Sequence, residues 1–178
     1  PANIGFNHRG VSYYENGDQS RILMGTNNAY LWSLDARTGK PDPEFGEGGR
    51  VDLTKGLGRP VIRKLYSNTA APMIVGDVIV MGAVVQDSPA YGFRMPKRDM
   101  MPPGHVRGFD LKTGKMRWIF HSVPKAGEFG ADTWKDEDWI DTGAANVWTS
   151  MSADLELGYV YLPFGTANND FYAIFISF

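Results

Sequence analysis

The chain has 178 residues, of which 43% are apolar and 21% charged, and its formal net charge is −2. This composition supports a globular core of ordinary domain size and excludes a disordered chain, while the scattered basic residues exclude a dedicated nucleic-acid binder. No apolar stretch approaches the roughly 20 residues of a membrane span, and the absence of cysteine excludes disulfides and thiolate chemistry.

Abundant glycine, proline and aromatic residues favour many short strands joined by tight turns. The first predicted unit, at about residues 9–50, has strands with the sequences RGVSYYE, RILMGT and AYLWSLD, followed by a degenerate fourth strand, KPDPEF, at 40–45. Alternation of apolar and polar residues is typical of strands with one buried face. We therefore expect four antiparallel strands in this unit.

The same pattern recurs in a second predicted unit, at about residues 69–121, and begins again in a third, at about 145–170. The third unit starts with ANVWTSMSAD, continues with GYVYLPFG and then stops. The four strands expected in the second unit lie at 71–75, 78–84, 105–110 and 115–121.

A short motif, Asp-x-x-Thr-Gly-Lys, follows the third strand of each of the first two units, in SLDARTGK and GFDLKTGKMRW. Gly39 and Gly114 are expected to adopt positive φ in a tight turn, where a Cβ atom would be strained. Asp35 and Asp110 are expected to accept hydrogen bonds from the backbone of that turn. We expect Trp118, which ends only the second copy, to dock on a neighbouring unit.

Tandem four-stranded antiparallel units are the sequence pattern of β-propeller blades. We therefore predict an all-β fold, a partial β-propeller of about two and a half blades, with residues 1–178 forming a fragment of a single domain. A propeller needs at least four blades to close. The chain is either a fragment of a larger propeller, which we favour, or an open array with unpaired edges.

The motif at the turn between the third and fourth strands resembles the tryptophan-docking motif of the quinoprotein dehydrogenases. These eight-bladed propellers hold pyrroloquinoline quinone (PQQ) on the central axis. The segment HRGVSYYE resembles the family segment whose arginine pairs with a carboxylate of PQQ, which assigns that role to Arg9. The segment NTAAP resembles the start of the next blade, which implies that Thr69 hydrogen-bonds the cofactor.

Further matches extend the resemblance from about Asn7 to Asn168. VIVMGAVVQDS resembles a strand exit that lines the cofactor with backbone groups, here those of Val84 and Val85, and that supplies an acidic metal ligand, here Asp87. The resemblance further implies that Asn146 contacts the cofactor, that Trp148 forms a floor under its rings, and that Asn168 binds the metal, Ca²⁺ or Mg²⁺.

The chain departs from the alcohol dehydrogenase branch of this family, which places a Cys-Cys disulfide over the quinone. The absence of cysteine favours the glucose or polyol branch, in which a histidine lies near the cofactor, and His8 is the candidate here. The family's catalytic Asp lies in a His-Asp-x-Trp-Asp stretch that this sequence lacks. We therefore expect the general base beyond the chain end and no activity from the isolated chain.

The resemblance implies oxidation of a sugar, polyol or alcohol, with hydride transfer to the quinone and electrons passed to ubiquinone or a cytochrome. It also implies that the remaining blades of the propeller are partners, and that the protein is periplasmic, with membrane association of the full-length protein left open. The alternative is a non-catalytic propeller that serves as a binding or assembly scaffold, which would share the docking motif for structural reasons alone.

Overall fold

The computed structural model of the protein describes residues 7–86, 101–134 and 142–167. This part of the chain is nearly all-β, with two short 3₁₀ turns at Arg63–Leu65 and Ala131–Thr133. The strands are, in chain order, β1 (Ser12–Asn16), β2 (Gln19–Gly25), β3 (Tyr30–Asp35), β4 (Arg50–Asp52), β5 (Tyr66–Ser67), β6 (Met73–Val75), β7 (Val78–Met81), β8 (Val84–Val85), β9 (Val106–Asp110), β10 (Met116–Phe120), β11 (Ser152–Asp154) and β12 (Tyr159–Tyr161).

The strands form two four-stranded antiparallel sheets and two short pairs. The first sheet has the order β1-β2-β3-β4 and the second the order β10-β9-β7-β6, so each unit is a meander of neighbouring strands. Strand β11 pairs with β12, and β5 pairs with β8. The fold is thus a fragment of a propeller, as the tandem pattern predicts.

The fourth strand of the first unit was predicted at residues 40–45, and this prediction is wrong. That segment forms only an isolated bridge between Pro41 and Leu34, with the Asp42 N–H donating to the Ser33 carbonyl at 2.9 Å. The Ser33 N–H donates to the Gly49 carbonyl at 3.0 Å instead, so residues 40–45 do not continue the ladder. The chain then turns through Gly46, Gly48 and Gly49, all at positive φ, and the fourth strand is β4.

The second strand of the second unit was predicted to run to residue 84, but β7 ends at Met81. The chain leaves the sheet at Gly82, and the Ala83 N–H donates to the Val147 carbonyl 2.9 Å away. Val84 then begins β8, which pairs with β5. A backbone group taken by another segment cannot continue the ladder, so the strand divides.

The repeated turn has the predicted geometry in both copies. Asp110 Oδ1 accepts hydrogen bonds from the Thr113 N–H at 2.8 Å and the Thr113 hydroxyl at 2.8 Å, and Asp35 does the same with Thr38. Gly39 and Gly114 have φ values of 69° and 70°. These hydrogen bonds lower the pKa of Asp110 to about 2, and the one from the Thr113 hydroxyl contributes most.

A third turn of the same design joins β11 to β12 and was not predicted. Asp154 Oδ1 accepts the N–H groups of Glu156 and Leu157 at 3.0 and 2.9 Å, and Gly158 has a φ of 69°. Leu157 replaces the threonine, so the side-chain hydroxyl contact is absent from this copy. Because this copy also lacks the Thr-Gly-Lys letters, the motif does not mark it in the sequence.

The main core lies between the first two units, where Leu23 and Leu31 belong to one buried cluster with Ile79 and Phe109. The second copy of the turn also docks there, because a Cβ atom on Gly114 would lie 2.7 Å from the Val51 side chain. A smaller cluster of Val80, Val106, Val147 and Met151 joins the second unit to the third. The three units therefore pack against one another in chain order.

Trp118 lies across its own sheet. Its indole covers Gly108, its partner in the β9–β10 ladder, so closely that a Cβ atom there would overlap the ring. Phe120, two residues further along β10, has its ring centroid 5.8 Å from that of Phe164 in the third unit. Docking of Trp118 on a neighbouring blade stays a prediction, although its face of β10 points toward the third unit.

Candidate functional site

Three segments of the chain meet at a cluster of Arg9, Thr69 and Trp148. Arg9 precedes β1, Thr69 precedes β6 and Trp148 precedes β11, so each stands at the entrance to one unit. The Arg9 N–H donates to the Thr69 carbonyl at 2.7 Å. The Arg9 Nη1 donates to the Thr69 hydroxyl at 2.6 Å, which fixes the guanidinium beside the second unit.

Trp148 presents one face of its indole to the same guanidinium. The Cζ atom of Arg9 lies 4.9 Å from the ring centroid, within cation–π range. The Thr69 hydroxyl donates to the Trp148 carbonyl at 3.4 Å. Thr69 is buried, whereas Trp148 is 45% exposed, so part of the residue remains open to solvent although Arg9 lies over its ring.

Asn146 bridges the second and third units. Its side-chain Nδ2 donates to the Ala83 carbonyl at 2.9 Å, and its own carbonyl accepts the Gly165 N–H at 3.0 Å. The residue is buried. Asn146 thus holds the segment that leads to Trp148, and a direct contact with a cofactor stays a prediction.

Val84 and Val85 lie in β8, opposite Ser67 and Tyr66 of β5. The pair is close to the cluster in sequence, because β5 ends two residues before Thr69. The alignment of cofactor-lining backbone groups with these two valines stays a prediction.

His8 anchors the loop that carries Arg9. Its Nε2 donates to the Gly25 carbonyl at 2.7 Å, and its Nδ1 accepts the Gly10 N–H at 3.1 Å. Nδ1 can accept only when it carries no proton, so this pair of bonds selects the neutral Nε2–H tautomer. With both nitrogens engaged by backbone, the geometry favours an anchoring role over proton transfer.

The two predicted metal ligands, Asp87 and Asn168, lie outside the described residues. The described chain comes close to both: Gln86 and Ala167 are their immediate neighbours in sequence. Ala83 and Thr166 both hydrogen-bond the segment 145–147, from the second and third units respectively. Among the residues that the structure describes, no group of three or more His, Cys, Asp or Glu side chains could hold a metal ion.

The segment before Trp148 has a backbone that sequence reasoning did not anticipate. Ala144 and Ala145 adopt φ values of 54° and 48°, which only a few per cent of non-glycine residues do. The Ala145 N–H donates to the Thr166 carbonyl at 2.9 Å, and Ala144 forms bridges with Pro103 and Ala167. These contacts hold the strained turn in place and so aim the chain at the cluster.

The functional groups of the cluster match those of PQQ. PQQ is a flat tricarboxylate, and the site offers a guanidinium for a carboxylate, a buried hydroxyl and a partly exposed indole. Gly82 contributes close backbone packing, because a Cβ atom there would overlap the Val147 carbonyl. The donors come from three units, so the arrangement exists only when the units are assembled.

Comparison with known proteins gives the family. A family model described as "PQQ: Glucose/ethanol/alcohol dehydrogenase, beta-propeller domain" matches residues 2–175. The glycerol dehydrogenase large subunit of Gluconobacter oxydans (strain 621H) is 32% identical over 172 residues, covering 93% of this chain and 22% of that protein. The quinoprotein glucose dehydrogenase of Escherichia coli (strain K12) is 30% identical over 183 residues, covering 94% and 21%.

A solved structure supports the fold. The quinohemoprotein alcohol dehydrogenase ADHIIG from Pseudomonas putida HK5 matches with a TM-score of 0.66 at 24% identity, covering 90% of this chain and 21% of that one. The chain thus spans 21 to 22% of the length of these three proteins. With the family model covering almost the whole sequence, the chain belongs to the PQQ-dependent quinoprotein dehydrogenase family, within its β-propeller domain.

Proposed function

We propose that this chain is part of a PQQ-dependent dehydrogenase that oxidises a sugar, polyol or alcohol and passes the electrons to ubiquinone or a cytochrome. The observation that carries the proposal is the meeting of Arg9, Thr69 and Trp148 at one point. A scaffold has no need of a guanidinium, a buried hydroxyl and a partly exposed indole at the junction of three units.

Each of the three residues has a distinct task toward the cofactor. Arg9 binds a carboxylate, for which a planar guanidinium is suited because two N–H groups can donate in parallel. Thr69 adds a hydroxyl whose position is fixed by Arg9 and by the Trp148 carbonyl. Trp148 supports the rings from below. When bound, PQQ supplies the two-electron oxidation of the alcohol carbon.

The proposal includes a divalent cation, Ca²⁺ or Mg²⁺, bound through Asp87 and Asn168. Carboxylate and amide oxygens are the ligands that hard cations prefer. The support is the chain path, because the segments that lead to both residues hydrogen-bond the same stretch, 145–147.

We further propose that the general base lies beyond the 178 residues and that the isolated chain is inactive. The partners are then the remaining blades of the propeller, which would complete the ring and the site. Periplasmic residence, with membrane association of the full-length protein left open, is proposed on the family resemblance. In the described part of the chain, no helix is long and apolar enough to cross a bilayer.

The test is a titration of the purified chain with PQQ in the presence of Ca²⁺, followed by tryptophan fluorescence. We expect quenching that Trp148→Phe largely removes. The matched control is Trp118→Phe, because that indole lies on Gly108 in its own sheet. No quenching by PQQ, or quenching unchanged by Trp148→Phe, would overturn the cofactor assignment and favour the scaffold. Oxidation of glucose, glycerol or ethanol by the chain alone would overturn the proposed position of the base.

A further inference from the structure

Asn68 lies directly before Thr69, at the point where the three units meet. It is 2% exposed, and its backbone N–H donates to the Thr26 carbonyl of the first unit at 3.0 Å. Its side-chain Nδ2 donates to the Gly82 carbonyl of the second unit at 2.6 Å. One buried residue thus joins the ends of two blades.

The neighbours of Asn68 carry this connection into the third unit. The Gly82 carbonyl is held by the Asn68 amide, and the next residue, Ala83, is bound on both sides by the segment before Trp148. Its N–H donates to the Val147 carbonyl at 2.9 Å, and its carbonyl accepts the Asn146 amide at 2.9 Å. A displacement of Gly82 would therefore move the residues that precede Trp148.

The first unit is shaped to receive the same side chain. A Cβ atom on Gly25 would lie 2.9 Å from the Cβ of Asn68, so only glycine leaves room for Asn68 there. The Gly25 carbonyl accepts the Nε2–H of His8 at 2.7 Å, and His8 stands next to Arg9. Asn68 is therefore linked to Arg9 through Gly25 and His8, and it directly precedes Thr69.

The other half of the Asn68 amide is buried without a protein partner. Oδ1 has no hydrogen bond within the described part of the chain. A cavity of about 10 Å³, lined by Asn68, Thr69, Gly82 and Val147 among others, lies against the residue. A polar side chain kept in such a place, at a free-energy cost of about 1–3 kcal/mol for an unpaired polar atom, indicates that its donor side is needed.

We propose that Asn68 is the positioning residue of the cofactor site, holding Arg9, Thr69 and Trp148 in register through the Gly82 carbonyl. The proposal rests on the proposed function only for its consequence on PQQ binding. The geometric part, that the Asn68 amide sets the position of the Trp148 indole, stands on the contacts of the chain itself.

The first test uses the 178-residue chain and the Asn68→Leu variant, which is close in shape but has no donor. The chain has five tryptophans, and their indole N–H signals are read by ¹⁵N NMR, with Trp148→Phe identifying the signal of Trp148. We expect Asn68→Leu to move the Trp148 signal clearly more than that of Trp32, a residue of the first unit outside the cluster. PQQ affinity, from fluorescence quenching, is expected to fall about tenfold.

A second variant, Asn68→Asp, keeps the inference testable if Asn68→Leu does not fold. A carboxylate at this position faces the Gly82 carbonyl without a proton, whereas a protonated carboxyl can donate to it, and burial favours the protonated form. The Trp148 signal of Asn68→Asp is therefore expected to return toward that of the parent chain as the pH is lowered. The parent chain, measured at the same pH values, is the control.

The outcomes separate the two proposals. If the parent chain does not bind PQQ but the Trp148 signal responds to Asn68→Leu, the proposed function fails and the positioning role stands. If the chain binds PQQ and neither variant changes the Trp148 signal or the affinity, the positioning role is overturned. It is also overturned if all tryptophan signals move equally, because Asn68 would then act on general stability alone.

Discussion

The guanidinium of Arg9 lies over the indole of Trp148, with the Cζ atom 4.9 Å from the ring centroid. The same guanidinium donates to the Thr69 hydroxyl at 2.6 Å, so its position is set by a residue of another unit. A flat ligand that stacks on this indole must share the space with Arg9. A carboxylate at the ligand edge gives the guanidinium a partner as it makes room, which couples charge recognition to ring stacking.

Arg9→Lys tests this coupling. Lysine keeps the positive charge but cannot donate two parallel N–H bonds, and it stacks less well on an indole. We expect PQQ affinity to fall by about tenfold or more, with little change in thermal stability because the side chain is exposed. Arg37→Lys, in the exposed repeated turn, is the matched control. Equal affinities for Arg9→Lys and the parent chain would contradict the carboxylate role.

Thr69→Val removes one hydroxyl at nearly constant volume. The hydroxyl accepts from Arg9 and donates to the Trp148 carbonyl, so its loss removes the donor to that carbonyl and frees the guanidinium. The expected cost is about 0.5–1.5 kcal/mol of unfolding free energy, measured by urea denaturation, together with weaker PQQ binding. Thr38→Val removes a comparable turn contact with Asp35. Its effect on stability is expected to leave PQQ binding unchanged.

The repeated turns were predictable from the sequence because their hydrogen bonds are local. Asp110 binds Thr113 only three residues away, and Gly114 needs positive φ wherever that turn is formed. The strand β3 was predictable from a similarly local signal, since its alternating residues reflect one buried face. The position of the fourth strand in the first unit was not predictable in this way. The chain turns through three glycines after Pro41 and pairs with β3 again only at β4, outside the predicted residues 40–45.

The grouping of Arg9, Thr69 and Trp148 came from the resemblance, and no local pattern in the sequence points to it. The parts of the site that were missed depend on close approach between distant residues. Asn68 and Gly82 are 14 residues apart, and Gly82 and Val147 belong to different units. The residues next to Gly82 in sequence do not distinguish it from a turn glycine. Glycine is needed there because the Val147 carbonyl, from a distant part of the chain, leaves no room for a Cβ atom.

Acid is expected to destabilise the fold through His105, which is buried near His121. Burial, followed by the nearby charges of His121, Lys125, Arg59 and Arg107, lowers the pKa of His105 to about 3 from its ordinary 6.5. Between these values the unfolded chain binds more protons than the folded one, so the free energy of unfolding falls as the pH falls. One such group contributes a slope of up to about 1.4 kcal/mol per pH unit.

The measurement is urea denaturation between pH 6.5 and 4.5, compared with His105→Asn. Nδ1 of His105 accepts the Ser122 N–H at 3.2 Å, and the asparagine oxygen can replace this acceptor without titrating. We expect a flatter pH dependence for the variant. Asp110 contributes little in this range, because its ordinary pKa is 3.8 and its folded pKa is about 2. An unchanged slope would contradict the role of His105.

Gly82→Ala is expected to be among the most damaging single substitutions in the chain. The added Cβ would overlap the Val147 carbonyl, which is backbone and cannot rotate away. The second and third units would then have to separate, breaking the Ala83–Val147 hydrogen bond of 2.9 Å and moving the segment before Trp148. We expect a loss of about 1–3 kcal/mol of unfolding free energy and a marked loss of PQQ binding.

Gly165→Ala is the matched control, because the nearest atom to its added Cβ is the Asn146 carbonyl oxygen at 3.6 Å, an ordinary contact. Equal stability of the two variants, measured by thermal and urea denaturation, would show that the units do not meet as closely at Gly82 as the structure has them.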